Sequence, residues 1–488
     1  MKKITGLVGV VSVLVLGSYY GMGMVAERAV KNNMHVVKQF HGLSAELLEY
    51  KRGWFKSKAI LQWKVVAPEH TNKLPDGRLE SIPAKNYQVQ APLSIYHGPI
   101  IISTHGLMFG FGYAHSEFGL PANAVQQFDD LFSKESTKPQ LGFDLFVNYL
   151  NASDFKIIVP KFKLTSKQKD LQLNWMGMSS LMKLSAAKNK IDGNFIINGI
   201  KFIRNEIDTN IGKTIGKYNL HKTQNGLFLG DANVVVPTMI VKHGDNKLFE
   251  LQDLKINLNS DIKNNLFDSQ FKTSLKMLDT KGRVFGPGNL EVSIRNIDAS
   301  VLAQINAQIQ NIQQATTDVL KQQAILALIP ELPKLLNKGA EFEVSELSFI
   351  VPEGSVEGSL LIVLPKSNFI NPLDLLQKIQ GEGKVKLPVA VLKEILVQSI
   401  KQRLLSQQEV NTAIINKNPN VNSPIQPTPE NVADRALSDT EKLLNIMTNT
   451  GVLVKQGDYY SIQLKLADGK LTVNSKPFTP SMLTGIPS

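Results

Sequence analysis

Apolar and polar residues follow three patterns along this chain, and the first has no period. Positions 4–26 carry no charge and centre on the apolar stretch Leu7 to Leu16. A helix rising about 1.5 Å per residue covers roughly 30 Å over such a run, so a single transmembrane helix is predicted over residues 1–26. Lys2 and Lys3 precede it, which keeps the N-terminus cytoplasmic and sends the body across the membrane. Gly21-Met22-Gly23 also offers a small-x-small cleavage site, so a removed signal is the alternative. Tyr19 and Tyr20 suit a membrane–water interface and favour a retained anchor. Gly17 and Gly21 form a GxxxG pair, the expected face for a homodimer.

Residues 27–49 are mildly amphipathic, with Met34, Val37, Phe40 and Leu43 to Leu48 suggesting a helix leaving the membrane. A two-residue period then sets in at Phe55 to Val65, where mostly apolar odd positions alternate with mostly polar even ones. That is the pattern of a strand with one buried and one wet face. It returns at Ala91, Leu93 and Ile95; at Leu171, Leu173 and Trp175; at Leu254, Ile256 and Leu258; and at Leu290, Val292 and Ile294. Asp192-Gly193, Asn225-Gly226, Gly244-Asp245 and Pro352-Glu353-Gly354 supply turns. Short connections join antiparallel neighbours, so a large antiparallel meander is predicted. Near the end, Asp468-Gly469 makes a two-residue turn that sets Leu466 opposite Leu471 and Leu464 opposite Val473.

The third pattern is helical. Asp298 is an N-cap candidate for a stretch ending by Pro330, with Leu302, Ile305, Ile309 and Ile312 at three-four spacing. Such a helix packs on its own sheet, pairs with a partner helix, or rests on lipid. Further helices are predicted from Pro372 to Ile415, broken around Gly381 to Pro388, and from Ala433 to Asn449. Ser359 to Leu364 is apolar on both faces, as suits either a central strand covered twice or the wall of an apolar groove. The expected fold class is α+β: one N-terminal transmembrane helix, then a mainly antiparallel β-sheet covered by amphipathic helices. The expected divisions are an anchor at 1–26, a β-rich region at 27–297 and a helix-hairpin-helix region at 298–415. A flexible Asn/Pro linker at 416–432 and a C-terminal helix with hairpin at 433–488 complete them.

The net charge of +12 spreads over scattered lysines, which reads as a solvated basic surface suited to anionic headgroups; no nucleic-acid partner is expected. The absence of cysteine excludes disulfides, thiol catalysis and cysteine-held zinc. The richest cluster of chemistry-bearing residues is His97, His105 and His115 with Glu117, but their intervals match no zinc motif, and HExxH is absent. GxSxG, GxGxxG and P-loop patterns are absent too, so neither an enzyme nor a cofactor is expected.

Some short stretches nevertheless form a set. Tyr50-Lys51-Arg52-Gly53-Trp54-Phe55-Lys56-Ser57-Lys58-Ala59 resembles the tyrosine-x-arginine-glycine-x-phenylalanine-x-serine-x-alanine signature of the YdgA-like bacterial proteins of unknown function. His97-Gly98-Pro99-Ile100 and Phe285-Gly286-Pro287-Gly288 resemble that family's two glycine-proline stretches. The closing Asp468-Gly469 hairpin resembles its terminal one, with Ser475 where the family usually has glycine. The resemblance implies a Gram-negative inner-membrane protein with a periplasmic body, and no catalytic residues. Gly53, Phe55, His97, Gly98, Pro99, Gly286, Pro287, Asp468 and Gly469 are therefore expected to be structural motif positions. The function expected is non-enzymatic binding or scaffolding in the envelope, of proteins, peptidoglycan or lipid, with an apolar lipid-holding groove as its specific form. The alternatives are a metal-assisted hydrolase using the histidine segment and a virulence factor secreted after signal cleavage.

Overall fold

The computed structural model describes residues 17–32, 43–67, 70–73, 79–82, 85–103, 106–313, 326, 328–367, 377–417 and 429–479. Residues 17–32 form a helix that carries Glu27, Arg28 and Lys31. Among the described residues no helix is long and apolar enough to cross a membrane. The transmembrane helix of the expected fold class is thus corrected to a short helix docked on protein, and residues 1–16 of the expected anchor lie outside the described residues. The physical reason lies in a second pattern that starts in the uncharged run and continues past it. Tyr19, Gly23, Ala26 and Val30 recur at three-four spacing, and a helix presents such residues on one face. Ala26 and Val30 pack on a core of Ala59, Leu61, Ala91, Leu93 and Ile95.

A second correction follows in sequence. Leu43–Lys51 is a strand rather than the end of a helix, paired antiparallel with Lys56–Ala67. Its apolar residues fall at Leu43, Ala45 and Leu47, a two-residue period that sits equally well in a strand.

The chain divides into two compact units. The first holds residues up to Asn259 with 307–321, the second 260–306 and 322–488. In the first unit every sheet pairing is antiparallel, and the cross-strand registers line up one face across its width. One row runs Ile95, Ala114, Leu145, Phe155, Met182, Gly193, Tyr218, Ala232 and Leu258. The next runs Leu93, Ser116, Phe143, Ile157, Ser180, Phe195, Gly216, Val234 and Ile256. The opposite face carries Asp192, Lys217, Asn219, Asp231 and Asn259, linked by hydrogen bonds such as Asn259 Nδ2 to Asp231 at 2.6 Å.

A crease interrupts these strands at one level: Pro160-Lys161, Met176-Gly177, Asn198-Gly199, Gly212-Lys213, Pro237 and Asp253. Gly177, Gly199 and Asp253 have positive φ there (98°, 143° and 51°). Beyond it the apolar positions shift phase by one, to Phe162, Trp175, Ile200, Ile211, Met239 and Leu251. Unbroken alternation would have turned these residues to the polar side, so the extra residue in each strand keeps one face apolar.

The second unit has its own antiparallel ladder: Leu266–Leu275, Gly288–Asp298, Glu341–Val351, Gly354–Val363, Gln380–Pro388, Tyr459–Ala467 and Lys470–Val473. Asp298 accepts from the amides of Ser300 and Val301 and caps helix Ala299–Gln313. Residues 314–325 of the predicted helix lie outside the described residues. Helices Val389–Lys417 and Pro429–Asn449 pack on each other through Ile400, Leu404, Val432 and Ala436, and on the Leu387–Tyr460 end of the sheet. The terminal hairpin pairs Leu466 with Leu471 and Leu464 with Val473, the register expected from its turn.

Candidate functional site

The first two motif stretches meet beneath the N-terminal helix. Arg52 to Phe55 turns the chain between strands, and a Cβ on Gly53 would lie 2.2 Å from the Lys56 carbonyl. The Phe55 carbonyl accepts from the His97 amide at 3.2 Å, which brings Ser57 and His97 onto the helix-covered face. Ser57 is 0% and His97 1% exposed, and Ser57 Oγ lies 2.9 Å from His97 Nε2. Gly23 lies against the imidazole: a Cβ there would sit 2.8 Å from His97 Cε1. Gly98, at φ 128°, leaves the space that the Tyr19 ring fills. Tyr19 donates to the Ile100 carbonyl at 2.6 Å, and Tyr149 to the Pro99 carbonyl. Arg52 donates to Tyr20 at 2.9 Å and lies 3.5 Å from the Glu27 carboxylate, which Lys31 also holds at 2.7 Å.

Burial holds the His97 pKa below the usual imidazole range; the Tyr19 carbonyl opposes that shift and the Arg52 charge adds to it. His97 Nδ1 is buried without a hydrogen-bond partner among the described residues. Ser57 and His97 thus have the geometry of a nucleophile–base pair, but the docked helix closes both off from solvent. As it stands, the arrangement fastens the helix to the sheet. Sequence reasoning missed Gly23 and Tyr19 as members of it; the signal was their spacing with Ala26 and Val30.

The apolar face carries an opening of its own. A cavity of about 490 Å³ is lined by Phe118, Leu141, Val159, Phe162 and Trp175 among others. Val159 lies on one side of the crease and Phe162 with Trp175 on the other, so the apolar face is continuous across it. Phe118 also packs against the helix-covered core, which ties that core to the cavity wall.

His97 and His115 do not converge. His97 pairs with Gly112 and Ser94 with His115, and this odd offset turns the two imidazoles to opposite faces. His115 Nδ1 lies 2.7 Å from Asp144, which also accepts from Tyr113 at 2.6 Å. Burial, then the Asp144 contact, pushes the Tyr113 pKa up, so the phenol stays protonated. His105 lies outside the described residues, and among the described residues no three His, Asp or Glu side chains could hold a metal.

In the second unit, the Gly286 amide donates to the Ile350 carbonyl at 2.7 Å and the Ile350 amide to that of Pro287 at 3.1 Å. Asp468 and Gly469 take positive φ, 51° and 69°, as a tight hairpin turn requires. Ser359, Leu361 and Val363 face the opposite way from Leu360 and Ile362. Leu361 sits between Glu343 and Glu382, and both Leu360 and Leu361 line a trough of about 960 Å³ of mixed polarity.

Long antiparallel ladders and a helix fastened over one end of an apolar face define a β-rich protein built on extended surfaces. The chain belongs to the bacterial family described as "Bacterial protein of unknown function (DUF945)", whose match spans residues 1–481. No curated protein matches it.

Proposed function

We propose that the protein acts by binding rather than catalysis, and that it holds the acyl chains of a lipid on the apolar face of its first unit. The observation that carries this reading is the cavity bounded by Val159, Phe162 and Trp175. Its volume of about 490 Å³ lies within the roughly 300–1,000 Å³ of small-molecule sites. It opens onto cross-strand rows of apolar side chains left half-exposed. An apolar surface of that extent gains free energy from any apolar occupant, and neighbouring cross-strand rows offer an extended chain parallel tracks. The resemblance to the YdgA-like proteins supports a periplasmic position for this body, where membrane lipids are at hand.

Lipid extraction of the purified full chain, followed by mass spectrometry, tests the reading. Stoichiometric lipid on the native chain, lost in Phe162→Glu, is the expected result. A native chain without lipid that also fails to take up a fluorescent fatty acid overturns it. The metal-assisted alternative has no supporting geometry, since His97 and His115 face opposite ways.

A further inference from the structure

One end of the first unit presents the reverse of a solvated surface. The turn Lys51-Arg52-Gly53-Trp54-Phe55-Lys56-Ser57-Lys58 places two aromatic side chains among four basic ones; Glu49 lies 2.6 Å from Lys51 and Glu27 lies 3.5 Å from Arg52, while Lys56 and Lys58 meet no acid in the turn. Trp54 is 57% exposed and Phe55 53%. The Trp54 ring meets Tyr20 at 5.5 Å, and Phe55 meets Tyr19 at 4.7 Å. Tyr19 reaches Ile100 at the start of the small hairpin Ile101–Ser103 and Gly106–Met108. There Ile101 is buried, while Ile102 and its cross-strand partner Leu107 point outward, 74% and 60% exposed. Tyr149 binds the Pro99 carbonyl and packs edge-on against Phe111 at 5.6 Å, which brings Leu150, 78% exposed, to the same rim.

Five large side chains of roughly 200 Å² each, rather more than half exposed, give an apolar patch of about 600 Å². That equals the largest patch on an ordinary monomer, roughly 300–600 Å², which is often a functional surface. Aromatic residues flanked by lysine and arginine are the composition of a membrane–water interface, where the rings enter the headgroup layer and the cations meet lipid phosphates.

We propose that this rim seats the first unit on an anionic lipid bilayer, with Trp54, Phe55, Ile102 and Leu107 entering the interface and Lys51 and Lys58 contacting phosphate groups. The proposal does not depend on the acyl-chain reading: the rim docks whether or not the sheet face is occupied.

The chain's three tryptophans allow a direct test. Trp63→Phe/Trp175→Phe in the full chain leaves Trp54 as the only indole, to be mixed with vesicles of phosphatidylglycerol and phosphatidylethanolamine or of phosphatidylcholine alone. The expected result is a blue shift of Trp54 emission and quenching by shallow brominated acyl chains, in the anionic vesicles only. Lys51→Gln/Lys58→Gln lowers the vesicle partition coefficient on the order of tenfold or more, as does high salt. Ile102→Ser/Leu107→Ser does the same while thermal unfolding stays unchanged, because both side chains are already exposed. Flotation with vesicles while Trp54 emission stays put overturns the proposal in favour of another contact. No flotation overturns it too, and leaves a protein surface as the rim's partner. Loss of extracted lipid in Phe162→Glu reports on the sheet face, so failure of that reading is seen separately from failure of vesicle binding.

Discussion

The two ends of one sheet face in the first unit are built alike and covered differently. At the helix-covered end, Ala59, Leu93 and Ile95 are buried under Ala26 and Val30. Farther along the same rows, Phe155, Ile157, Phe195, Val234 and Ile256 stay half-exposed. The strands do not differ in kind: both ends alternate apolar and polar residues with a two-residue period. What differs is the covering element. Alternation therefore specifies which face is apolar, and a separate segment decides whether that face becomes a core or a binding surface.

The largest expected effect comes from cutting equal side chains on the two sides of this comparison. Ile95→Ala should cost about 2–5 kcal/mol, the range for a large-to-small change in a close-packed core. Ile157→Ala should cost about 1 kcal/mol or less, since water already reaches its half-exposed side chain. Urea unfolding measures both. Equal losses would mean that the far face is packed as tightly as the covered one, and the binding reading would lose its basis.

Glycines sharpen the same contrast at smaller magnitude. A Cβ on Gly23 would meet His97 Cε1 at 2.8 Å inside a closed helix–sheet contact. Gly23→Ala should therefore cost about 1–3 kcal/mol and raise protease cleavage near residues 17–32. A Cβ on Gly216 would lie 2.0 Å from Phe195 Cε1, a shorter approach on paper. Yet that atom is the free end of a ring lying over an open face, and the ring can swing out. Gly216→Ala should stay within about 0.5 kcal/mol. A loss there as large as at Gly23 would show that the Phe195 ring is held in place.

Much of the ladder was legible in the sequence because strand period and hairpin turns are local signals. The pairing of Leu464 with Val473 follows from Asp468-Gly469 alone. The N-terminal helix was misread because an uncharged run satisfies two solvents at once: lipid and a protein core both accept Tyr19 and Ala26. Only a partner surface tells them apart, and that surface begins some twenty residues later, at Ala45, Ala59 and Leu61. His97 illustrates the same limit. Its distance in sequence from His115 is short, but their faces depend on strand parity across a turn, and Ser57 and Gly23 reach His97 only through the tertiary fold. The crease was hidden because each of its residues looked like an isolated turn signal; aligned across neighbouring strands, they shift phase together.

The smallest effect expected is a pH dependence confined to the covered end. Burial lowers the His97 pKa in the folded state below the roughly 6.5 of an unfolded chain. The folded protein then binds fewer protons, so the stability held in the neutral imidazole is fully present above about pH 6.5 and is lost as pH falls below it. The slope is at most about 1.4 kcal/mol per pH unit for one proton. The groups around the ring do not titrate in that window. Glu27 is held below the usual carboxylate range, first by its hydrogen bond with Lys31, and burial raises the Tyr50 pKa above that of a free phenol. Hydrogen exchange at pH 7.5 and 5.5 should show residues 17–32 losing protection at the lower pH. Strands Ser153–Val159 and Met178–Leu184, which carry no histidine, should stay flat once intrinsic exchange rates are corrected. His97→Gln should remove the difference. If the loss of protection persists in that variant, the fastening of helix to sheet rests on Tyr19, Arg52 and Glu27 instead, and the buried imidazole serves only to fill space beneath Gly23.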